Sequence, residues 1–318
     1  MLFLYNILFI FLVFFNVIGY GFVLNKILGL QKKNILNLYI SGSSLILFFS
    51  LLINFFYPLN IFVTNTFFIL FTSLGLINFI KNIEYKKYLN NLFLILFFTT
   101  FITYKSYPNA DYEFYHLPYQ EILRHFKIIF GLSNFEFSFG HSSILLNISS
   151  FQYNTLMHLD SYIYFVPILV SVILTEIYFN YFKKSHLLIK FISFIFLVNY
   201  FLHGNRYGAL GNDFPAHALS LLCYILFFYI IQLKKSNLDT TFLLILSLII
   251  SIFSKLTLLL NIFILLPFVF LKENLIIINK RIFIFAFILL SLILLKNFIN
   301  TSCILFPIQK TCFETNWS

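Results

Sequence analysis

Residues 241–271 read TFLLILSLIISIFSKLTLLLNIFILLPFVFL, 31 residues in which Lys255 is the single charge. A helix rises 1.5 Å per residue, so one unbroken helix would be about 46 Å long. The hydrocarbon core of a bilayer is only about 30 Å thick. The block therefore reads as two short helices that turn at Lys255. An ammonium between two apolar runs costs about 3 kcal/mol even on lenient insertion scales, so it has to face a cavity, an anion or the interface. Snorkelling from the tip of the hairpin is the plainer alternative.

The rest of the chain carries the same signature. Of its 318 residues 60% are hydrophobic and 10% charged, with a mean hydropathy of +0.92, whereas soluble domains carry about 25% charged residues. This excludes a water-soluble enzyme. Apolar runs fall near 2–24, 35–56, 61–80, 90–104, 161–182, 187–202, 214–232, 241–254, 256–271 and 282–296. The expected architecture is all-α, a polytopic membrane helix bundle of about ten spans, with residues 1–318 as a single multi-pass domain. The first run lacks a basic start and a small-residue cleavage site, so it reads as a span rather than a signal peptide. The abundance of Phe (47) and Tyr (20) accompanies that of Ile, Asn and Lys, which is what A+T-rich coding produces.

The net charge of +10 acquires meaning from its distribution. With ten spans, fourteen of the 21 Lys and Arg fall on one side and seven on the other. Cytoplasmic loops hold the excess of basic residues, so the chain is expected in a cytoplasmic (inner) membrane. The charge then orients the protein among membrane lipids, and no nucleic-acid partner is implied. Six of the seven His fall on the outer side, including His116, His125, His141, His158, His203 and His217, together with Asp111, Glu113, Asp160 and Asp213.

Only the outer loop over about 105–160 is long, and long connections are usually functional or disordered. It opens YKSYPNADYEFYHLPY (104–119), grouping Asp111, Glu113, Tyr115 and His116. Asp111 alone reads more readily as a helix cap. The cluster, beside an amphipathic helix, points to chemistry at the water–lipid boundary. That helix is expected from Pro118 to Gly131, about three turns, lying in the outer interface with Gln120, Glu121, Arg124 and Lys127 off its apolar face. A second outer loop, HGNRYGALGNDFPAH (203–217), brings Arg206, Asp213 and His217. Its glycines lack the spacing of a phosphate-binding loop. Asp213 reads also as a helix start and His217 as a bundle histidine. Cys303 and Cys312 both fall in the outer tail, where an oxidising compartment would let them pair as a disulfide.

Asp111, Glu113, Tyr115 and His116, followed by an outer Asp and by Lys255 with Thr257 and a leucine-rich run to Leu266, resemble the GT-C superfamily of integral-membrane glycosyltransferases. DYEFYHLPYQ with GLSN (131–134) and GHSS (140–143) is similar to a bacterial group of GT-C-like proteins with an Asp, a Tyr-His-Leu-Pro and a Gly-Leu-x-Asn element. The resemblance covers about residues 90–318. Four spans precede the Asp loop here, where the best-known members have one. Many members run on beyond this length, so the resemblance makes the chain readable as a fragment of a longer one.

The resemblance implies transfer of a sugar from a polyprenyl-phosphate donor to a hydroxyl of a glycan or lipid acceptor, on the outer face and with inversion. Asp111 would be the base, with Glu113 and His116 beside it. Lys255 and Arg206 would bind the donor phosphate. Asp213 and His217 would contact the acceptor or a metal. Carboxylates with imidazole suit a divalent cation, which is the one candidate cofactor. Two other classes share the outer-face chemistry or the donor: a polymerase or ligase of lipid-linked oligosaccharide, and a transporter or flippase of lipid-linked sugar. A transporter would need polar residues at mid-depth in several spans.

Overall fold

The structure, a computed structural model, describes residues 2–30, 34–82, 85–104, 110–141, 143–156, 162–182, 187–207, 211–233, 238–267 and 279–317. Among these the chain is helical, with no strand and one isolated bridge between Cys303 and Cys312. The α-helices are α1 (Leu2–Leu28), α2 (Ile35–Phe56), α3 (Ile61–Asn82), α4 (Tyr85–Tyr104), α5 (Leu117–His125), α6 (Ile144–Phe151), α7 (Tyr162–Glu176), α8 (Leu187–Tyr207), α9 (Asp213–Leu233), α10 (Leu238–Ser254) and α11 (Lys280–Thr301). Five helices are long and apolar enough to cross a membrane, namely α1, α2, α3, α9 and α11. The other apolar runs form helical segments of 10–17 residues.

Helix α2 is the most enclosed of the five and α11 the least. Against α2 pack α1, α6, α7, α10 and α11. Two of its buried serines satisfy their hydroxyls within the helix. Ser43 Oγ donates to Tyr39 O (2.8 Å) and Ser44 Oγ to Ile40 O (2.9 Å), and a buried hydroxyl without a partner would cost free energy. Helices α1 and α3 cross where Gly19 meets Gly75. A Cβ on Gly75 would lie 1.9 Å from Phe15 O, and one on Gly19 1.9 Å from Phe71 O. Small residues permit such backbone contact between helices in lipid, where dispersion rather than water exclusion holds them together.

The long loop is fastened to one end of the bundle. Leu59 N donates to Leu123 O (2.9 Å), Ile128 N to Asn54 O (2.9 Å) and Gly131 N to Ile299 O (2.9 Å). The far end holds the contacts of Arg281 with Ile27 O and of Asn34 with Glu176.

These contacts alter the expected loop helix. It stops at His125, and Phe126 is extended (φ −128°, ψ 145°). The last carbonyls of a helix lack intrahelical donors. Asn54, in the final turn of α2, draws the chain out of helix by accepting from Ile128 N and donating from Nδ2 to Phe126 O (3.1 Å). Gly131 does not end α5. It takes a left-handed turn (φ 64°) where the loop docks on α11, and a Cβ there would lie 2.6 Å from Trp317 O. Nor do all the polar residues of α5 face outward, since Gln120 and Arg124 are buried with Tyr119 and Leu123. Ser149 Oγ of α6 donates to Gln120 Oε1 (2.9 Å), and the Arg124 guanidinium lies over the Tyr153 ring while pairing with Glu121 (2.6 Å).

Candidate functional site

Lys255 marks the expected break. Helix α10 ends at Ser254, Lys255 is extended (φ −149°, ψ 107°), and a 3-10 segment, Leu256–Leu265, follows. Both flanks are tied to α9. Ser251 Oγ donates to Ala216 O (3.0 Å), Asn261 Nδ2 donates to Ser220 Oγ (2.7 Å), and Tyr224 Oη donates to Asn261 Oδ1 (3.0 Å). The ammonium is thereby aimed at the first turn of α9, where Lys255 Nζ stands 2.6 Å from Asp213 Oδ2. A carboxylate at that position also suits the positive end of the helix dipole.

The opposite wall comes from the Asp111 segment. Pro118, in the first turn of α5, has no N–H to return to the preceding turn and its ring crowds a carbonyl there. The backbone widens into a π turn over Tyr112–His116, with Leu117 N donating to Tyr112 O. Such a turn inserts a residue and re-aims side chains. Here it turns His116 inward, to 3% exposure, where the Asn212 amide lies 3.2 and 3.3 Å from the two ring nitrogens. Tyr115 packs edge-on against His116, centroids 4.2 Å apart.

Between these walls lies a cavity of about 520 Å³ lined by Asp111, Tyr115, His116, Asn212, Asp213 and Lys255 among others. Gly140 and His141 add a third side, and Asn297 of α11 a fourth. The remaining side is the tail loop Phe306, Pro307 and Ile308. Cys303 and Cys312 form a disulfide that closes this loop, and Phe306 packs on Phe137 (4.8 Å) and His141 (5.0 Å).

Burial sets the protonation of the cavity's polar groups. It pushes the His116 imidazole down to about 4, against an opposing effect of Asp213. His141 is also lowered by burial. Tyr115 is raised to about 12, first by burial and then by Asp111 and Asp213. At neutral pH the cavity therefore presents neutral imidazoles and a protonated phenol.

Four of the residues given a site role by the resemblance thus line one cavity, Asp111, His116, Asp213 and Lys255, with Tyr115, His141 and Thr257 on the same wall. Glu113 is exposed and stands off its wall, as does His217, one turn along α9 from Asp213. The side chains of Arg206 and His203 lie outside the described residues, as does His158. No group of three His, Cys, Asp or Glu that could hold a metal ion occurs among the described residues.

The structure adds residues that sequence reading passed over. Asn212 has no role in the reading from sequence, yet it holds His116. Asn297 and the Phe306–Ile308 loop become wall. Lys296, counted as an outer cation, is 2% exposed inside α11, donating to Asn147 Oδ1 (3.2 Å) above the Tyr119 ring. An Asn within an apolar helix was the only available signal.

No curated protein and no solved structure matches the chain. Its sequence matches one family profile over its whole span, and residues 1–318 belong to the family described as Domain of unknown function (DUF8201).

Proposed function

We propose that this protein is a GT-C-like glycosyltransferase of a bacterial cytoplasmic membrane, taking a sugar from a polyprenyl-phosphate donor to an acceptor hydroxyl at the outer face. The observation that carries the reading is the convergence of Asp111 and Lys255, 144 positions apart in sequence, on one cavity at the loop-bearing end of an apolar bundle. In this reading the shorter apolar helices α4, α7, α8 and α10 and the 3-10 segment also cross the bilayer, making about ten spans. The lysine-rich end faces the cytoplasm. The disulfide at the cavity end supports an oxidising outer compartment.

The chemistry follows from charge. The acceptor O–H gives its proton to the Asp111 carboxylate as its oxygen attacks the anomeric carbon. The bond from that carbon to the phosphate oxygen breaks, and its electron pair leaves with the phosphate. Lys255 stabilises this developing charge in a partly dehydrated cavity. Neutral His116, fixed by Asn212, and the protonated Tyr115 hydroxyl orient sugar and acceptor. Arg206 remains a candidate second phosphate contact.

The test is comparison of surface glycans by mass spectrometry in cells carrying the wild-type protein or Asp111→Asn. The reading expects the same missing glycan in Asp111→Asn as in a deletion strain. A mutant with intact glycans, where the deletion strain loses them, overturns it.

A further inference from the structure

Lys255 is already engaged. Its side chain is 28% exposed, with the ammonium bound to Asp213, whose side chain is 59% exposed and lines the cavity. Among the described residues the charged groups on the wall are Asp111, Asp213 and Lys255, a formal charge of −1. His116 and His141, the imidazoles on the wall, are neutral at pH 7, and Tyr115 is protonated. A site built only to hold phosphate would not place a second carboxylate on its lysine.

Resting on the glycosyltransferase reading, we infer that Asp213 makes the site select by charge between donor and product, admitting a phosphodiester and expelling a phosphomonoester. The donor, sugar–O–PO₂⁻–O–prenyl, carries one negative charge. Transfer consumes it and the acceptor hydroxyl. It yields the glycosylated acceptor, a proton on Asp111, and prenyl–O–PO₃²⁻, whose second charge is present above a pKa of about 6. The donor's single charge can share Lys255 with Asp213. The product's second charge meets the Asp213 carboxylate at close range, well inside the screening length of about 10 Å in 0.1 M salt. Asp213 thus limits product inhibition. The groups facing it are Lys255 from the α10 break, His116 and Tyr115 from the π turn with Asp111 beside them, and His217 along its own helix.

The experiment measures binding of decyl methyl phosphate and decyl phosphate to the purified full chain in nanodiscs, at pH 8 and pH 5. The wild type is expected to prefer the diester by about tenfold at pH 8 and to lose most of that preference at pH 5, where both probes carry one charge. Asp213→Asn should bind decyl phosphate about tenfold more tightly at pH 8 and show no preference, while Asp213→Glu restores it. Equal binding of the two probes by the wild type at pH 8, or an unchanged preference in a folded Asp213→Asn, overturns the role of Asp213 and leaves the glycosyltransferase reading standing. Binding of both probes that is unaffected by Lys255→Ala overturns phosphate recognition at this site, and the reading with it.

Discussion

Lys255 and Asp213 meet at 2.6 Å although 42 positions separate them in the chain. The lysine sits where α10 breaks and the aspartate where α9 begins, so the pair bridges two helix ends at the cavity rim. Partly exposed pairs contribute about 0–1 kcal/mol. Lys255→Ala should therefore leave the thermal midpoint within about 3 °C of wild type, while, on the proposed glycosyltransferase reading, sugar transfer falls by about a hundredfold. Parallel melting and transfer assays check this, and a large loss of stability would mark the pair as structural.

His116 makes stability depend on pH. Its folded pKa of about 4 lies below the unfolded value of about 6.5. Between these values the unfolded chain binds the proton and the folded chain does not, so stability falls as pH drops from about 6.5 towards 4. The full contribution is about 3 kcal/mol. Denaturation of wild type and His116→Gln in mild detergent at pH 7.5 and 4.5 should show a larger acid loss in wild type. NMR of labelled histidine should show one imidazole still neutral at pH 5.5.

Lys296 and Asn147 form a buried contact between α11 and α6. Replacing Asn147 by Leu takes the acceptor from a buried ammonium and should cost about 2–3 kcal/mol. Lys296→Met removes the charge itself and should cost less, because apolar replacement of buried charge is often neutral. Chemical denaturation of both single mutants and the double mutant checks this. The double mutant is expected to be more stable than Asn147→Leu.

The tail loop is held by Cys303 and Cys312. Nine positions separate them, and closing so short a loop contributes about 2–3 kcal/mol in the chain-entropy model. Most of that acts on the tail, because the helices pack without it. On the proposed glycosyltransferase reading, Cys303→Ser with Cys312→Ser should reduce transfer more than it reduces helical content by circular dichroism, since Phe306–Ile308 are cavity wall.

Gly75→Leu tests the crossing of α1 and α3. The side chain would meet Phe15 O at 1.9 Å, and backbone cannot yield as a flexible side chain does. Loss of folded protein on size exclusion is expected, with Gly29→Ala, which meets no close atom but sits in a left-handed turn (φ 72°) and so costs about 1 kcal/mol, as a milder comparison.

What sequence alone determined was local and additive. Hydropathy over about 20 residues identifies apolar helices whatever they pack against, and the length of 241–271 against the thickness of lipid was enough to place the break at Lys255. Asp111 and His116 could be nominated because ionisable groups beside apolar runs are costly and few. Tertiary structure decided the rest. The early end of α5 depends on Asn54, a residue 72 positions from Phe126 that captures its carbonyl, so no periodicity within α5 could reveal it. Glu113 and His116 looked alike in sequence, and only the π turn before Pro118 separates a buried imidazole from an exposed carboxylate. The pairing of Lys255 with Asp213 follows from how α10 and the 3-10 segment after it are tied to α9 through Ser251 and Asn261. Residues that touch across helices are chosen by packing geometry, and that geometry is a property of the whole bundle.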